Sequence, residues 1–290
     1  MKIAKLHDKY YKKILIFPAI LIIISLIYLI NFNTINGDFI YKDISLTGGT
    51  TITIYGEINQ AELESFLLGK LEDLNTRQVY DFTTREQKAI IIETTSEGEY
   101  SLNLIEEFLG YELTEGENFD FEFTGSSLSE NFYKQLLFAI LLAFILMAVV
   151  VFIIFRTAIP SLAVIISAFA NILMTLVFVN LIGMKMSTAG IVAFLMLIGY
   201  SVDTDILLTN RVLKRKEGTI NQRIFGAFKT GMTMTLTSLF AFLFALFLVK
   251  SFSNVLTQIF SILVIGLGFD LINTWITNVS IIKWYAERKK

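Results

Sequence analysis

The chain has no cysteine and a single histidine, His7, which sits among lysines near the N-terminus. Disulfide frameworks, thiolate nucleophiles and cysteine-liganded metals are therefore excluded. One histidine supports neither zinc chemistry nor imidazole acid–base catalysis, and no metal or other cofactor is expected. Charge is scarce as well: Asp, Glu, Lys and Arg make up 17% of the 290 residues, against 54% hydrophobic residues and a mean hydropathy of +0.63. A soluble domain of this length cannot hide so much apolar surface in one core, so a bilayer is part of the solvent.

Long uncharged runs are what the chain does have. A helix of about 20 apolar residues crosses the hydrocarbon layer, and such runs lie between Lys13 and Asp38, Lys134 and Arg156, Arg156 and Lys185, and Lys229 and Lys250. Two more qualify once acids are admitted inside them: Lys185 to Arg211, with Asp203 and Asp205, and Lys250 to Lys283, with Asp270. The first run follows lysines as a signal peptide would, but no small-residue cleavage site follows Ile30. That is the pattern of a retained signal anchor.

Lys and Arg collect on one side of this arrangement. With the N-terminus inside, the cytoplasmic face holds Lys2, Lys5, Lys9, Lys12, Lys13, Arg156, Arg211, Lys214, Arg215, Lys216, Arg223, Lys229, Lys283, Arg288, Lys289 and Lys290. The opposite short loops carry only Lys185 and Lys250, and the positive-inside rule then sets the orientation. The predicted layout is a cytoplasmic N-terminus at 1–13, a first span at 14–31, an extracytoplasmic domain at 32–131, spans at 132–155, 160–182 and 186–209, a cytoplasmic loop at 210–229, spans at 230–249 and 255–282, and a cytoplasmic tail at 283–290. Both termini face the cytoplasm of a multi-pass plasma-membrane protein whose solvent includes the lipid bilayer.

From Asn31 to Lys134 the chain turns acidic, with twenty Asp plus Glu against six Lys plus Arg, a net charge of −14. Alternation over Thr50–Tyr55, Val79–Thr84, Ala89–Thr94 and Phe119–Phe123 predicts strands, and apolar spacing over Gln60–Leu71 and Leu102–Leu109 predicts helices. The order β-α-β-β-α-β is that of the split βαβ, ferredoxin-like α+β domain. The predicted fold class is thus a polytopic α-helical membrane protein of six transmembrane helices with a ferredoxin-like extracytoplasmic domain. At its entrance, Gly48, Gly49 and Thr50 read either as a tight turn or as a close-packed joint to the bundle. No phosphate-binding helix follows, so no nucleotide is implied.

Ionisable groups inside spans face protein or a water path and often mark an ion route. Asp203 and Asp205 stand two residues apart, about 200° around a helix, so they cannot share a face. In the sixth span Asp270, Asn273, Thr274, Thr277 and Asn278 form a polar stripe, and the fifth carries Lys229, Thr230, Thr233, Thr235, Thr237 and Ser238. Spans four to six are therefore expected to enclose a hydrated polar core, with Lys229 as its cation and a buried acid able to exchange a proton. The alternative is that these groups bind helices together by hydrogen bonds worth about 0.6–2 kcal/mol each. Gly183, Gly190, Gly199, Gly266 and Gly268 fit close helix approach.

Three stretches carry a resemblance: Asp43 to Thr50 (DISLTGGT), Gly199 to Arg211 (GYSVDTDILLTNR) and Gly231 to Ser238 (GMTMTLTS). Together, along essentially the whole chain, they resemble the SecF family of protein-export membrane proteins in its archaeal form. The resemblance implies an RND-type half, pairing with the homologous six-span SecD, and assistance to the SecYEG channel in moving polypeptides outward, driven by the proton gradient in bacterial relatives. It also implies roles for Gly199 and Tyr200 within the fourth-span motif and for Gly48–Thr50 outside the first span. Asp203 matches the fourth-span carboxylate of SecD-like motifs; the bacterial SecF carboxylate falls at Thr204, with an acid on either side here, so either Asp203 or Asp205 carries the proton. The bacterial fifth-span arginine falls at Lys229.

The resulting expectation is an accessory translocase subunit that catalyses no bond chemistry and binds no nucleic acid. Two alternatives use the same residues: half of a proton-coupled RND-type small-solute exporter, and a non-conducting structural subunit.

Overall fold

The structure is a computed structural model describing residues 10–81, 84–215, 217–250 and 253–289. His7, Lys2, Lys5, Lys9, Lys216 and Lys290 lie outside the described residues, as do Phe82 and Thr83 of the expected second strand. Six helices are long and apolar enough to cross a membrane: Tyr10–Asn36, Leu128–Phe155, Ala158–Leu181, Thr188–Lys214, Ile220–Val249 and Asn254–Arg288. The protein is a multi-pass membrane protein.

The first span is interrupted at Leu15, because Pro18 has no N–H to return to the Ile14 carbonyl, and regular helix α1 runs Ile16–Asn36. A short helix, α2 (Ile44–Thr47), leads into the sheet domain. There follow β1 (Gly49–Tyr55), α3 (Gln60–Leu67), β2 (Asn75–Tyr80), β3 (Gln87–Thr94), α4 (Gly98–Leu109) and β4 (Phe119–Thr124). The strands form one antiparallel sheet in the order β2-β3-β1-β4. Alternate residues of β1 and β3, Ile52, Ile54, Ile90 and Ile92, meet Leu63 and Leu67 of α3 and Leu104 and Ile105 of α4 in a closed core. Strand β2 starts at Asn75 rather than near Val79 because Asn75 and Thr76 pair in register with Glu93 and Ile92, a cross-strand pairing invisible to alternation within one strand.

Beyond the sheet, α5 (Ser126–Phe155), α6 (Ala158–Leu181), α7 (Thr188–Lys214) and α8 (Ile220–Val249) are followed by α9 (Asn254–Ile272), a π-helical segment (Asn273–Asn278) and α10 (Val279–Arg288). Helices α6 and α7 are the most buried spans, and α5 and α8 the least. Nearest the sheet, Val179, Ile191, Phe194, Leu197, Ile262 and Leu263 form the bundle core; at the far end Ala163, Leu208, Val212, Trp275, Val279 and Ile282 do so. Exposed Ile27, Phe138, Phe244 and Phe247 are 63%, 63%, 65% and 77% accessible, an apolar exterior suited to lipid.

The helices outrun the spans expected from charge alone, since backbone groups at the membrane boundary are still best satisfied within a helix. The correction is largest at 210–229: α7 continues to Lys214 and α8 starts at Ile220. A capping box of Thr219 and Gln222 sets that start, each side chain satisfying an orphan backbone N–H. The expected loop is thus mostly helix.

Candidate functional site

Two residues apart on α7, Asp205 points into the bundle and is 0% exposed, whereas Asp203 is on its exposed side. Asp205 Oδ1 accepts from Asn278 Nδ2 at 2.7 Å, and the hydroxyls of Ser167 on α6 and Thr274 on the π segment also face this carboxylate. Asp270 is 0% exposed too, and its Oδ1 accepts from Ser201 of α7 at 2.5 Å and Thr274 at 3.4 Å. Asn273 Nδ2 reaches Met174 Sδ of α6 at 3.6 Å, and Thr277 donates to Asn273 Oδ1 at 3.5 Å. Both acids lie about 25 Å along their helices from the sheet end at 1.5 Å per residue.

The π segment explains why one side of the sixth span collects these groups. In an α-helix, residues four apart drift about 40° around the axis per step. The wider i→i+5 winding offsets that drift, so Asp270, Thr274 and Asn278 stay on one face. Space for the wide turn comes from Gly231 of α8: a Cβ there would lie 2.5 Å from Trp275 Cζ2 and 3.1 Å from Thr204 Cγ2.

The structure unites Asp205, Asp270 and Asn273, and separates them from Lys229 and Thr237. Lys229 is not the cation of the buried core, because α8 turns Ala227, Gly231 and Thr235 inward, and Lys229 is exposed on the other side. Thr237 is also exposed and donates to its own helix at Thr233 O, 2.8 Å away. Ser167 and Asn171 on α6, both 0% exposed, were missed; with Thr175 they recur every fourth residue in an apolar helix, the signal that would have found them. Among the glycines, Gly190 and Gly266 pack against Gln258 and Leu197, but added Cβ atoms at Gly183, Gly199 and Gly268 meet nothing within 4 Å.

Gly199 and Tyr200 instead belong to an exposed stripe of α7 that continues through Asp203. Beside it, α8 exposes Lys229, Thr233 and Thr237. Among the described residues neither the Asp203 nor the Lys229 side chain has a hydrogen-bond or ion-pair partner. Two candidate spans thus expose polar groups along their length.

The Gly48–Thr50 element is a joint. Gly48 (φ +84°) would place a Cβ 2.5 Å from Ser126 Cα at the start of α5, and one at Gly49 would lie 2.5 Å from Thr94 O. Thr50 is 0% exposed and donates to Ser96 O at 3.1 Å. Just upstream, Asp43 N–H donates to Met186 O at 2.9 Å, Met186 N–H donates to Tyr41 O at 2.6 Å, and Ser45 accepts from Thr188 N–H at 3.3 Å. The segment leading into the sheet domain is therefore fastened to the residues that open α7.

Between the sheet and the bundle ends lies a cleft of about 670 Å³ lined by Asp43, Thr51, Arg77, Glu93, Lys185 and Gln258, among others. Glu93 accepts from Arg77 at 3.0 Å and Asn75 at 2.8 Å. Burial pushes its carboxyl above the usual glutamate range despite the opposing pull of Arg77.

The sequence profile of the family described as "Protein export membrane protein SecD/SecF, C-terminal" matches residues 107–288. A protein-export membrane protein SecF of Methanothermobacter thermautotrophicus is 39% identical over 96% of this chain and 94% of its own length. The SecF of Methanocaldococcus jannaschii is 38% identical, covering 96% of both chains, and that of Pyrococcus furiosus is 34% identical over 96% of this chain and 92% of its own. Among solved structures, SecDF of Thermus thermophilus, described as a translocon-associated membrane protein, shares the fold with a TM-score of 0.72 at 18% identity. A SecDF in super-membrane-facing form gives 0.61, also at 18% identity. This chain is covered to 96% and 97% in these comparisons, but spans only 38% and 39% of those longer chains. The chain belongs to the SecF family of protein-export membrane proteins.

Proposed function

We propose that this chain is the SecF-like accessory subunit of a Sec translocase, working with SecD beside the SecYEG channel to promote the export of polypeptides. The single observation that carries this reading is the uncovered α7–α8 face, where Asp203 and Lys229 stand exposed on two candidate spans. Charged groups in spans face protein or water rather than lipid, so the face calls for a cover. A second RND-type half suits it, and the SecDF chain of T. thermophilus, of which this chain spans 38%, is long enough to hold one.

In this reading the sheet domain is ferredoxin-like and extracytoplasmic, and both termini are cytoplasmic, as the distribution of Lys and Arg supports. Proton movement at Asp203 or Asp205 drives the cycle, and the joint through Gly48 and Met186 passes the motion of α7 to the outer domain. No bond chemistry is performed. The domain's charge of −14 between Asn31 and Lys134 favours contact with basic stretches of an emerging chain, an attraction that salt weakens.

The test is native mass spectrometry of complexes extracted in mild detergent. Co-purification of a second six-span homologue or the channel is expected, and a lone homo-oligomer would overturn the reading. A small-solute exporter is the second reading, favoured by the cleft of about 670 Å³ below the sheet; it predicts solute transport in vesicles that hold this chain and its partner half but no channel.

A further inference from the structure

We propose that the buried pair Asp205 and Asp270 is a binding site for a small, largely dehydrated monovalent cation, Na⁺ in its chemistry, inside this chain's own bundle. The proposal deepens the ion-coupling part of the reading above by giving the ion a place, and it is separate from the exposed Asp203.

The lining is oxygen from every side. Helix α6 contributes Ser167, α7 contributes Ser201, Asp205 and Thr209, α9 contributes Asp270, and the π segment contributes Thr274 and Asn278. Helix α8 brings only Gly231 and Thr235 inward at this level. Among the described residues no lysine or arginine faces the pair: Lys229 points outward, Arg211 donates to Gly226 O, and Lys283 lies 4.0 Å from Glu287 and over the Tyr11 ring. Both carboxylates are approached by Thr274 of the π segment, and among the described residues no positive charge stands with them.

Its free valences are those of a cation site. The donors of Asn278, Ser201 and Thr274 are directed at the Oδ1 atoms of the two acids, the way ionised carboxylates are held. That leaves Asp205 Oδ2, Asp270 Oδ2 and Asn278 Oδ1 buried with no hydrogen-bond partner; the amide oxygen only accepts, and the carboxylate oxygens do so when ionised. Ser167 Oγ, 0% exposed, faces Asp205, and Thr209 Oγ1, one turn beyond Asp205, is without a partner. Buried polar atoms are rarely left so. These oxygens, two of them from carboxylates, suit a hard monovalent ion; Ca²⁺ takes six to eight oxygens. The π winding puts Asn278 on the same face as Asp270, a common use of such segments at functional sites.

The experiment is binding of radioactive Na⁺ to the full chain in lipid nanodiscs at neutral pH, with K⁺ and choline as competitors. Saturable binding that neither competitor displaces is expected. It should weaken by at least about ten-fold in Asp205→Asn and in Asp270→Asn, and persist in Asp203→Asn. Absence of saturable Na⁺ binding to the unaltered chain would overturn the proposal and leave the pair neutralised by protons. Binding that survives both Asp205→Asn and Asp270→Asn would overturn it as well, by placing the ion elsewhere. If neither variant folds, Na⁺-dependent slowing of hydrogen exchange across Asp270–Asn278 in the unaltered chain decides, and equal exchange in Na⁺ and K⁺ would count against it. Co-purification with the partner half is unaffected by either result.

Discussion

Asp205 and Asn278 are joined by a 2.7 Å hydrogen bond between α7 and the π segment, with both residues wholly buried. Replacing Asn278 by Ala leaves a buried carboxylate without its donor, and the penalty for such a group is about 1–3 kcal/mol. Thermal unfolding of the full chain in detergent should register the loss. A double-mutant cycle with Asp205→Asn should show clear coupling between the two sites; simple additivity would mean that the bond contributes nothing.

Gly231→Ala and Gly266→Ala separate rigid from yielding neighbours. The first puts a methyl 2.5 Å from the Trp275 ring, the second 2.4 Å from a Leu197 methyl. A leucine tip swings aside and an indole held in the bundle does not. Overpacking costs about 1–3 kcal/mol, and Gly231→Ala should lie at the upper end with a shifted Trp275 fluorescence. Equal losses would show that the ring has room to move.

At the joint, Gly48→Ala combines an extended positive-φ backbone that only glycine adopts readily, worth about 1–3 kcal/mol against an L-residue, with a clash on Ser126 backbone. Gly56 also has positive φ but open space around it. Limited proteolysis at the Gly125–Ser126 junction should increase in Gly48→Ala and stay unchanged in Gly56→Ala.

The acidity of Glu93 gives the sheet domain a pH signature. Its carboxyl titrates above the ordinary range when folded, so between its unfolded and folded pKa the native state binds more protons than the unfolded state. Stability then rises as pH falls from above the folded pKa towards the unfolded one. Glu93→Gln should remove that part of the slope, read from hydrogen exchange of β3 in the full chain across mildly acidic pH.

The cysteine-free sequence is a ready background for mapping sidedness. Cysteines placed singly at Glu112, in the sheet domain, and at Glu217, between α7 and α8, are exposed sites at opposite ends of the bundle. A membrane-impermeant maleimide added to intact cells should label Glu112→Cys and spare Glu217→Cys. The reverse pattern would invert the orientation.

Much of this was legible in one dimension. Uncharged runs located four spans and, with acids admitted inside them, the other two, because hydrocarbon tolerates little else, and the two-residue spacing of Asp203 and Asp205 required that they part company. What failed was the assignment of Lys229 to the interior: proximity to a span does not say which way a side chain faces, and the small residues Ala227, Gly231 and Thr235 decide it. Ser167 and Asn171 were overlooked because their four-residue recurrence with Thr175 carries no charge in an apolar helix. The π winding at Asn273–Asn278 depends on the space Gly231 leaves for Trp275, a contact between spans that no local pattern encodes.

The uncovered α7–α8 face carries a consequence for the amount of this protein a cell keeps. A copy without its proposed cover holds Asp203 towards lipid, and insertion measurements place a charged side chain at the centre of a span at about 2.5–3.5 kcal/mol. Such an orphan is the less stable species, open to extraction and degradation, while an assembled copy is protected. In the proposed pairing the two halves would ration one another: surplus of either is cleared, and matched numbers follow from one carboxylate in a span rather than from matched synthesis.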